Sequence, residues 1–527
     1  MAAEAGCSSW RMEDDERERQ EEEEEEEEEE TELAEMEGVN FSNSSLMPPP
    51  PTPPLPPPPA IIPLPPPESE QTKPLPLPPS SEEVGTGEES QDSQDSAETE
   101  ELGNGVPWHL TPEVVLVKVL ACLDDVDRCN ASVTCTAWRR VFRNPSLWRR
   151  RHFVFRGYEA LERQDRYCQF LTQLGWHVRH ATIELCRPNI NTATVIAKAF
   201  ETFVNRLNKC HGVRLLSITI ISADFLSGWH FFSHNRGKVV RSLCNLLKKQ
   251  SCLRSADLSY CLMDRDEGSR LLDSLSYGTR LHPKQYLSTL DLRQFFSPGT
   301  RAVSFTRYQK VMDQFVTLAC VRMDLRSLNE TILQTMSKAS AKTLRRLEID
   351  FYADESVGVH AIGSYCWREV AQRCQGLAVM VRIHGLCGFS KYASVLVRGM
   401  PLHELRLTYL GVEDLSNPEL LRSIDGLILY LSGVYYQTLN KVQIQLRPEM
   451  EVSADTALVT LVRRCLHLAD INVNFVVQAA TFLRILETIQ KNRTASEKGC
   501  KKTRLRLNIR GMTPELDQSI KRLTSTL

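Results

Sequence analysis

The sequence predicts an α/β chain: a short three-helix unit followed by a solenoid of parallel strands and helices, both behind a disordered acidic and proline-rich tail. Three observations carry the prediction. Residues 1–105 are dominated by a glutamate run and a proline run. Residues 106–155 place apolar side chains at helical spacing. Residues 156–527 return repeatedly to a short alternating apolar segment with helical stretches between.

The tail comes first. It holds 30 acidic and 4 basic residues, a net of −26, against 59 basic and 37 acidic residues in the rest, a net of +22. The near-neutral total of −4 therefore conceals two opposite halves. Glu21 to Glu30 and the proline-rich run from Pro48 to Pro79 bury too little apolar surface to offset the entropy of ordering. Polyproline favours an extended left-handed helix, and the "PPLP" of Pro53 to Pro56 fits an aromatic groove of the SH3, WW or EVH1 kind. A solvated spacer is the plainer reading of the same residues.

The helical unit starts at "VPWHLTPEVVLVKVLACLDDVDRC". Thr111 is placed to cap a helix, Pro112 suits its first turn and Glu113 its positive dipole end. Leu116, Leu120 and Leu123 form one stripe, and Val115, Val119 and Cys122 form a second beside it. Two stripes are more apolar surface than a unit of this size hides by itself. Asp124 or Asp125 caps a second helix, Thr134 or Thr136 opens a third, and Asn144-Pro145 stops it. Trp138 and Trp148 read as packing anchors, with Arg139, Arg140, Arg149, Arg150 and Arg151 on solvated edges.

The repeats follow. "LLSITII", "LRSADLSYC", "LSTLDLRQF", "LRRLEIDFY", "LHELRLTYL", "LNKVQIQLR", "LADINVNFV" and "TRLRLNIRG" share one alternating apolar pattern. "ATVIAKAFETFVNRLNKC", "KVVRSLCNLLKKQ", "DTALVTLVRRC" and "AATFLRILETIQKNR" are helical between them. The frame L-x-x-L-x-L is that of leucine-rich repeats, here in about ten or eleven irregular units. Cys261 stands where such repeats place Asn or Cys, whereas Phe295, Tyr352, Leu410 and Arg447 occupy that position elsewhere. Side chains flanking the inward leucines face the other way, which exposes Asp257, Asp291, Arg293, Arg346, Glu348, Arg406, Gln443 and Asn472 as candidate partner contacts. Their mixed signs suit a protein partner; a continuous basic stripe would suit nucleic acid. The +22 body with "WRRRH" and "KGCKKTRLRLNIRG" keeps a nucleic-acid-associated binding protein as the alternative, and a third reading folds the acidic tail back over the basic body.

Signals for other chemistry are weak. There is no G-x-S-x-G, H-E-x-x-H, Walker loop or dinucleotide fingerprint, so no catalytic residue and no cofactor is expected. Sixteen cysteines without a CxxC pair read as small core residues of a reduced protein, Cys366 and Cys374 among them. His177, His180, His211, His230 and His234 read as ordinary histidines, and no metal site is expected. The first residues lack a secretion signal and no apolar run reaches membrane-spanning length, which predicts a cytoplasmic or nuclear protein without a membrane partner.

One stretch carries a resemblance. Leu110, Pro112, Glu113, Leu116, Val119, Leu120, Leu123, Asp124, Val126, Asp127, Val133, Cys135, Trp138, Arg139, Pro145, Leu147 and Trp148 together resemble the F-box motif, with a threonine inserted between the leading leucine and proline. Tail, motif and irregular repeats together resemble the F-box-only proteins. The resemblance implies a non-catalytic adaptor subunit of a ubiquitin ligase. The helical unit would bind the Skp1 adaptor and, through it, the cullin and its RING partner, while the repeats hold an unknown protein substrate. It implies an adaptor-facing surface of Pro112, Leu116, Val119, Leu120, Leu123 and Val126, supported by Val133 and Trp138.

Overall fold

The computed structural model describes residues 111–527, apart from 211, 281–286, 301–305, 357, 359–360, 411–417, 448–451, 453, 496–503, 511–517 and 523–527. The acidic and proline-rich tail, with its "PPLP" stretch, lies outside the described residues.

Four helices open the chain: α1 (Glu113–Cys122), α2 (Asp125–Thr134), α3 (Thr136–Phe142) and the single turn α4 (Pro145–Trp148). Their ends follow local chemistry, with one exception. Asp124 caps α2 by accepting the Asp127 amide at 2.8 Å, and Asn144 caps α4 by accepting the Ser146 amide at 3.0 Å. Thr111 does not cap α1; Pro112 takes the cap position, and the Thr111 hydroxyl is buried with no partner. Thr134 caps nothing either, because its hydroxyl donates back to the Ala131 carbonyl at 2.8 Å. Leu116, Leu120, Ala131, Val141, Leu147 and Trp148 make the core of this unit.

The array begins earlier than the sequence frame suggests. Residues Arg150–Phe155, placed with the helical unit by pattern, are the first strand, β1, and pair in parallel with His180–Leu185. Then come α5 (Glu159–Leu174), β2 (His180–Leu185), α6 (Ala193–Lys209), β3 (Ser217–Ile221), α7 (Ser233–Lys249), β4 (Ser255–Asp257), α8 (Arg265–Arg280) and β5 (Thr289–Leu292). Next are α9 (Thr306–Asp313), β6 (Cys320–Asp324), α10 (Glu330–Ala339), β7 (Arg346–Tyr352), α11 (Ser364–Arg373), β8 (Ala378–His384), α12 (Phe389–Val395) and β9 (Leu402–Thr408). The last are α13 (Pro418–Val434), β10 (Lys441–Gln445), α14 (Asp455–Arg464), β11 (Asp470–Gln478), α15 (Ala479–Ala495) and β12 (Arg504–Arg510).

The strands form one sheet in chain order, β1 to β12, every pairing parallel. Each strand-helix unit therefore meets only its neighbours, as in a solenoid. Alternate residues of strands β1 to β11, such as Ala181, Ile183 and Leu185 or Val442 and Ile444, are buried against the helices. Their neighbours line the opposite, open face. Cys366 and Cys374 are both buried, the first within α11 and the second just past its end.

Turns at the strand ends pay a local conformational cost: Ser222, Asp224, Tyr260, Leu262 and Gln294 all have positive φ, between 27° and 61°. Gly385 (φ 97°) is required after β8, since a Cβ there would come within 2.9 Å of Ala353.

The helical unit is seated on the array through shared side chains. Trp148 donates its indole N–H to the Phe142 carbonyl at 2.6 Å and meets the rings of Phe142 and of Phe170 in α5 at 4.9 and 5.4 Å. Arg151 corrects an expectation. Its side chain is 9% exposed, paired with both oxygens of Asp125 at 2.6 and 2.5 Å and lying over the rings of Trp148 and Phe170. Arg139, Arg140, Arg149 and Arg150 are exposed as expected.

Candidate functional site

The two stripes of α1 part company. Leu116 and Leu120 are fully buried and hold the helical core together, with Leu123 half-buried beside them. Neither Leu116 nor Leu120 offers surface to a partner. The second stripe stays uncovered: Val115 is exposed, Val119 half-buried and Cys122 exposed. Helix α2 adds a stripe of its own, with Val126 at 61% and Val133 at 70% exposure and Cys129 exposed between them. Pro112 is exposed, and Trp138 is half-buried against the helical core. Val114, also exposed, is an apolar contact that the motif alone does not single out.

Val126 and Cys129 border a groove of about 710 Å³ between α2 and α5, with Phe142, Trp148, Tyr167 and Phe170 among its lining. Asp125 and Arg151 lie at its margin. Burial alone would raise the Asp125 carboxyl, but the bond and charge of Arg151, with the charge of Arg128, hold it below its ordinary range. The Asp125 carboxylate thus stays ionised at neutral pH, bonded to Arg151 at the groove margin.

The open face of the sheet carries the other candidates, in two groups. In the first, register sets Asp257, Asp291, Arg322 and Glu348 in one row across β4 to β7. Asp291 and Glu348 were expected as displayed contacts, yet both are buried beneath arginine side chains, as is Asp350. Arg293 and Arg322 pair with Asp291 at 2.7 and 3.3 Å. Arg346 and Arg322 reach Glu348 at 2.6 and 3.2 Å, and Arg382 bridges Glu348 and Asp350. The outermost groups here are guanidiniums steered from below by carboxylates. Asp257 spends one carboxylate oxygen on Ser259, accepting its amide and hydroxyl at 3.1 and 2.7 Å.

Arg406, Gln443 and Asn472 form the second group, a half-buried row across β9 to β11. Arg406 donates to Glu404 at 2.7 Å, and Lys441 lies 3.5 Å from Glu404 and 3.2 Å from Asp470. Charge pairing of this kind differs from the continuous unpaired basic stripe that a phosphate backbone selects. Sequence reasoning missed Arg322, Arg382 and His384, which sit on strands without a leucine frame; their period-two apolar alternation was the available signal.

A carboxylate pair at the ends of β6 and β7 behaves differently. Burial pushes Asp324 up to about 6 and Glu355 up to about 7, in each case only partly offset by Arg326. The folded state therefore holds protons that the unfolded chain releases near pH 4, so these groups contribute less stability as pH rises from about 5 to 8. Glu355→Gln is expected to exceed the parent chain in stability at about pH 8, by on the order of 2 kcal/mol, and to match it at about pH 4.5. Denaturant melts at both values check this; an equal gap at both, or none, would show that Glu355 is not held protonated.

Among the described residues, no three His, Cys, Asp or Glu side chains converge as metal ligands, and no helix is long and apolar enough to cross a membrane. His180 instead shares a 2.8 Å hydrogen bond with Ser217 on the next strand, and His211 lies outside the described residues.

Comparison with known proteins falls on the same elements. The F-box-like family model matches residues 109–154, from before α1 to the penultimate residue of β1. F-box/LRR-repeat protein 21 of Mus musculus is 24% identical over 214 residues, covering 34% of this chain and 48% of the mouse protein. Its Bos taurus counterpart is 21% identical over 280 residues, covering 52% of this chain and 59% of the bovine protein. The chain thus spans about half the length of the curated relatives it matches. With the family match lying on the helices that carry the uncovered valines, and the strand-helix array following directly, these findings support an F-box-like domain followed by repeats.

Proposed function

We propose that the chain is the substrate-recognition subunit of a Skp1-cullin-F-box ubiquitin ligase acting in the cytoplasm or nucleus. The F-box helices dock Skp1, Skp1 brings the cullin and its RING protein, and the open face of the array tethers a protein substrate. One observation carries the reading: α1 and α2 keep apolar stripes uncovered after the array has been seated through Trp148 and Arg151. Isolated exposed valines are ordinary, but stripes of them on an F-box-like fold mark a protein interface.

The chain needs no reacting group for this role. Holding a substrate lysine beside a charged conjugating enzyme raises its effective concentration, and the bond chemistry belongs to other subunits. Pro112, Val119, Leu123, Val126, Val133 and Trp138 then supply the adaptor contacts, with Val114, Val115 and Cys122 added. Leu116 and Leu120 act from beneath by fixing the helix that displays them.

The test follows from the exposures. Leu120→Asp would disrupt the core and confound binding with folding, whereas Val126→Asp with Val133→Asp alters only exposed positions. The double variant is expected to melt like the parent and to lose Skp1 affinity by on the order of a hundredfold or more. Co-purification at parental yield would overturn the docking assignment.

A further inference from the structure

At the carboxyl ends of β5, β6 and β7 a cavity of about 400 Å³ opens, with Gln294, Arg326, Tyr352, Asp354 and Glu355 in its wall. Its charges do not balance. Arg326 is the guanidinium in that wall, and it is spent on Asp324, donating from Nε and one terminal nitrogen at 3.2 and 3.1 Å. Its other terminal nitrogen stays 3.7 Å from Glu355, beyond hydrogen-bond reach. Arg326, occupied by the buried Asp324 behind it, thus leaves the wall's own carboxylates, Asp354 and Glu355, without a hydrogen-bonded guanidinium. Asp324 is fully buried with one oxygen lacking any partner, and Glu355 is 18% exposed on its side chain. Groups left in this condition are costly unless a further donor arrives.

The aromatic wall is built as firmly. Tyr352 accepts a hydrogen bond from the Gln294 side chain on its hydroxyl at 2.5 Å and stacks on His384 with ring centres 4.8 Å apart. A ring held at both its hydroxyl and one face is a preorganised surface for an aliphatic stem or a cation. An anion would face the excess carboxylates, and a purely apolar group would leave them unanswered. A long cationic side chain answers both walls.

We propose that this cavity accepts a lysine or arginine side chain of the bound polypeptide, Tyr352 flanking the stem and Glu355 with Asp354 meeting the charge. The inference rests on the tethering reading given above and names the substrate chemistry it selects: a segment with a basic residue placed to reach the end of the sheet.

Saturation-transfer NMR on the full chain tests it, with N-acetyl-lysine methylamide and N-acetyl-arginine methylamide as probes and the norleucine and glutamate analogues as controls. The basic probes are expected to give signals about fivefold or more above the controls. Glu355→Gln, and separately the exposed Asp354→Asn, are expected to lower them at least about threefold, Asp354→Asn with unchanged melting and Glu355→Gln with melting no lower than the parent's, while Tyr352→Phe retains them. Equal signals from lysine and norleucine probes, or no change in both carboxylate variants, would overturn the proposal. Skp1 capture measured on the same preparations separates the two readings. Selective probe binding without Skp1 capture would sustain the cavity and sink the ligase assignment, and the converse would sink the cavity alone.

Discussion

Replacing Trp148 with alanine is expected to destabilise the chain by about 3 to 5 kcal/mol, the range for deleting a large buried aromatic. The indole is 2% exposed and is shared between the helical unit and the array. Its removal takes away ring contacts with Phe142 and Phe170, the hydrogen bond to the Phe142 carbonyl, and the surface over which Arg151 and Arg128 lie. The last loss reaches beyond the indole itself, since Arg151 without its aromatic bed loses the stacking that orients it toward Asp125. Amide hydrogen exchange is expected to accelerate in α2 and in the carboxyl half of α5 together, while β7 to β11 stay protected. Acceleration confined to α2 would mean that the two parts do not share a core.

Glu348→Ala comes next in size. The carboxylate is 1% exposed and meets Arg322, Arg346 and Arg382. Breaking a buried pair by removing one partner typically costs 3 to 5 kcal/mol, because the remaining charge is uncompensated. Here the arginines keep some water, so about 3 kcal/mol is expected, read as a lower urea midpoint with an unchanged slope. Adding Arg382→Met to Glu348→Met is expected to recover part of the loss, since apolar side chains of similar volume replace an ion pair at little cost. A loss below about 1 kcal/mol for the single alanine variant would show that the arginines find other counter-charges and that Glu348 does not organise them.

These two residues also show what the letters alone disclose. The leucine frames of β3 to β5, β7 and β9 to β12 were legible because period-two burial against helices needs branched or leucine side chains at fixed spacing. Strands β1, β2, β6 and β8 fill the same inward positions with Phe153 and Phe155, Ala181 and Ile183, Val321 and Met323, and Val379 and Val381, so a search for leucine passes over them. The excess of apolar surface on α1 was legible as two stripes; which one becomes core depends on where α3 and α4 pack, and that is tertiary information. Arg151 looks solvated by composition, yet its partner Asp125 stands 26 residues away. The burial of Asp291 and Glu348 likewise follows from register, which sets Arg322 between them.

The seat formed by Trp148, Arg151 and Asp125 has a mechanical consequence. Eleven strand-to-strand steps of about 4.8 Å carry β12 roughly 50 Å from β1 along the sheet, so the array is a lever arm pivoting on a few side chains. A rotation of about five degrees at that pivot sweeps the far strand by about 4 to 5 Å, comparable to the spacing between adjacent strands. Angular stiffness at the base thus governs how precisely the far strands are positioned.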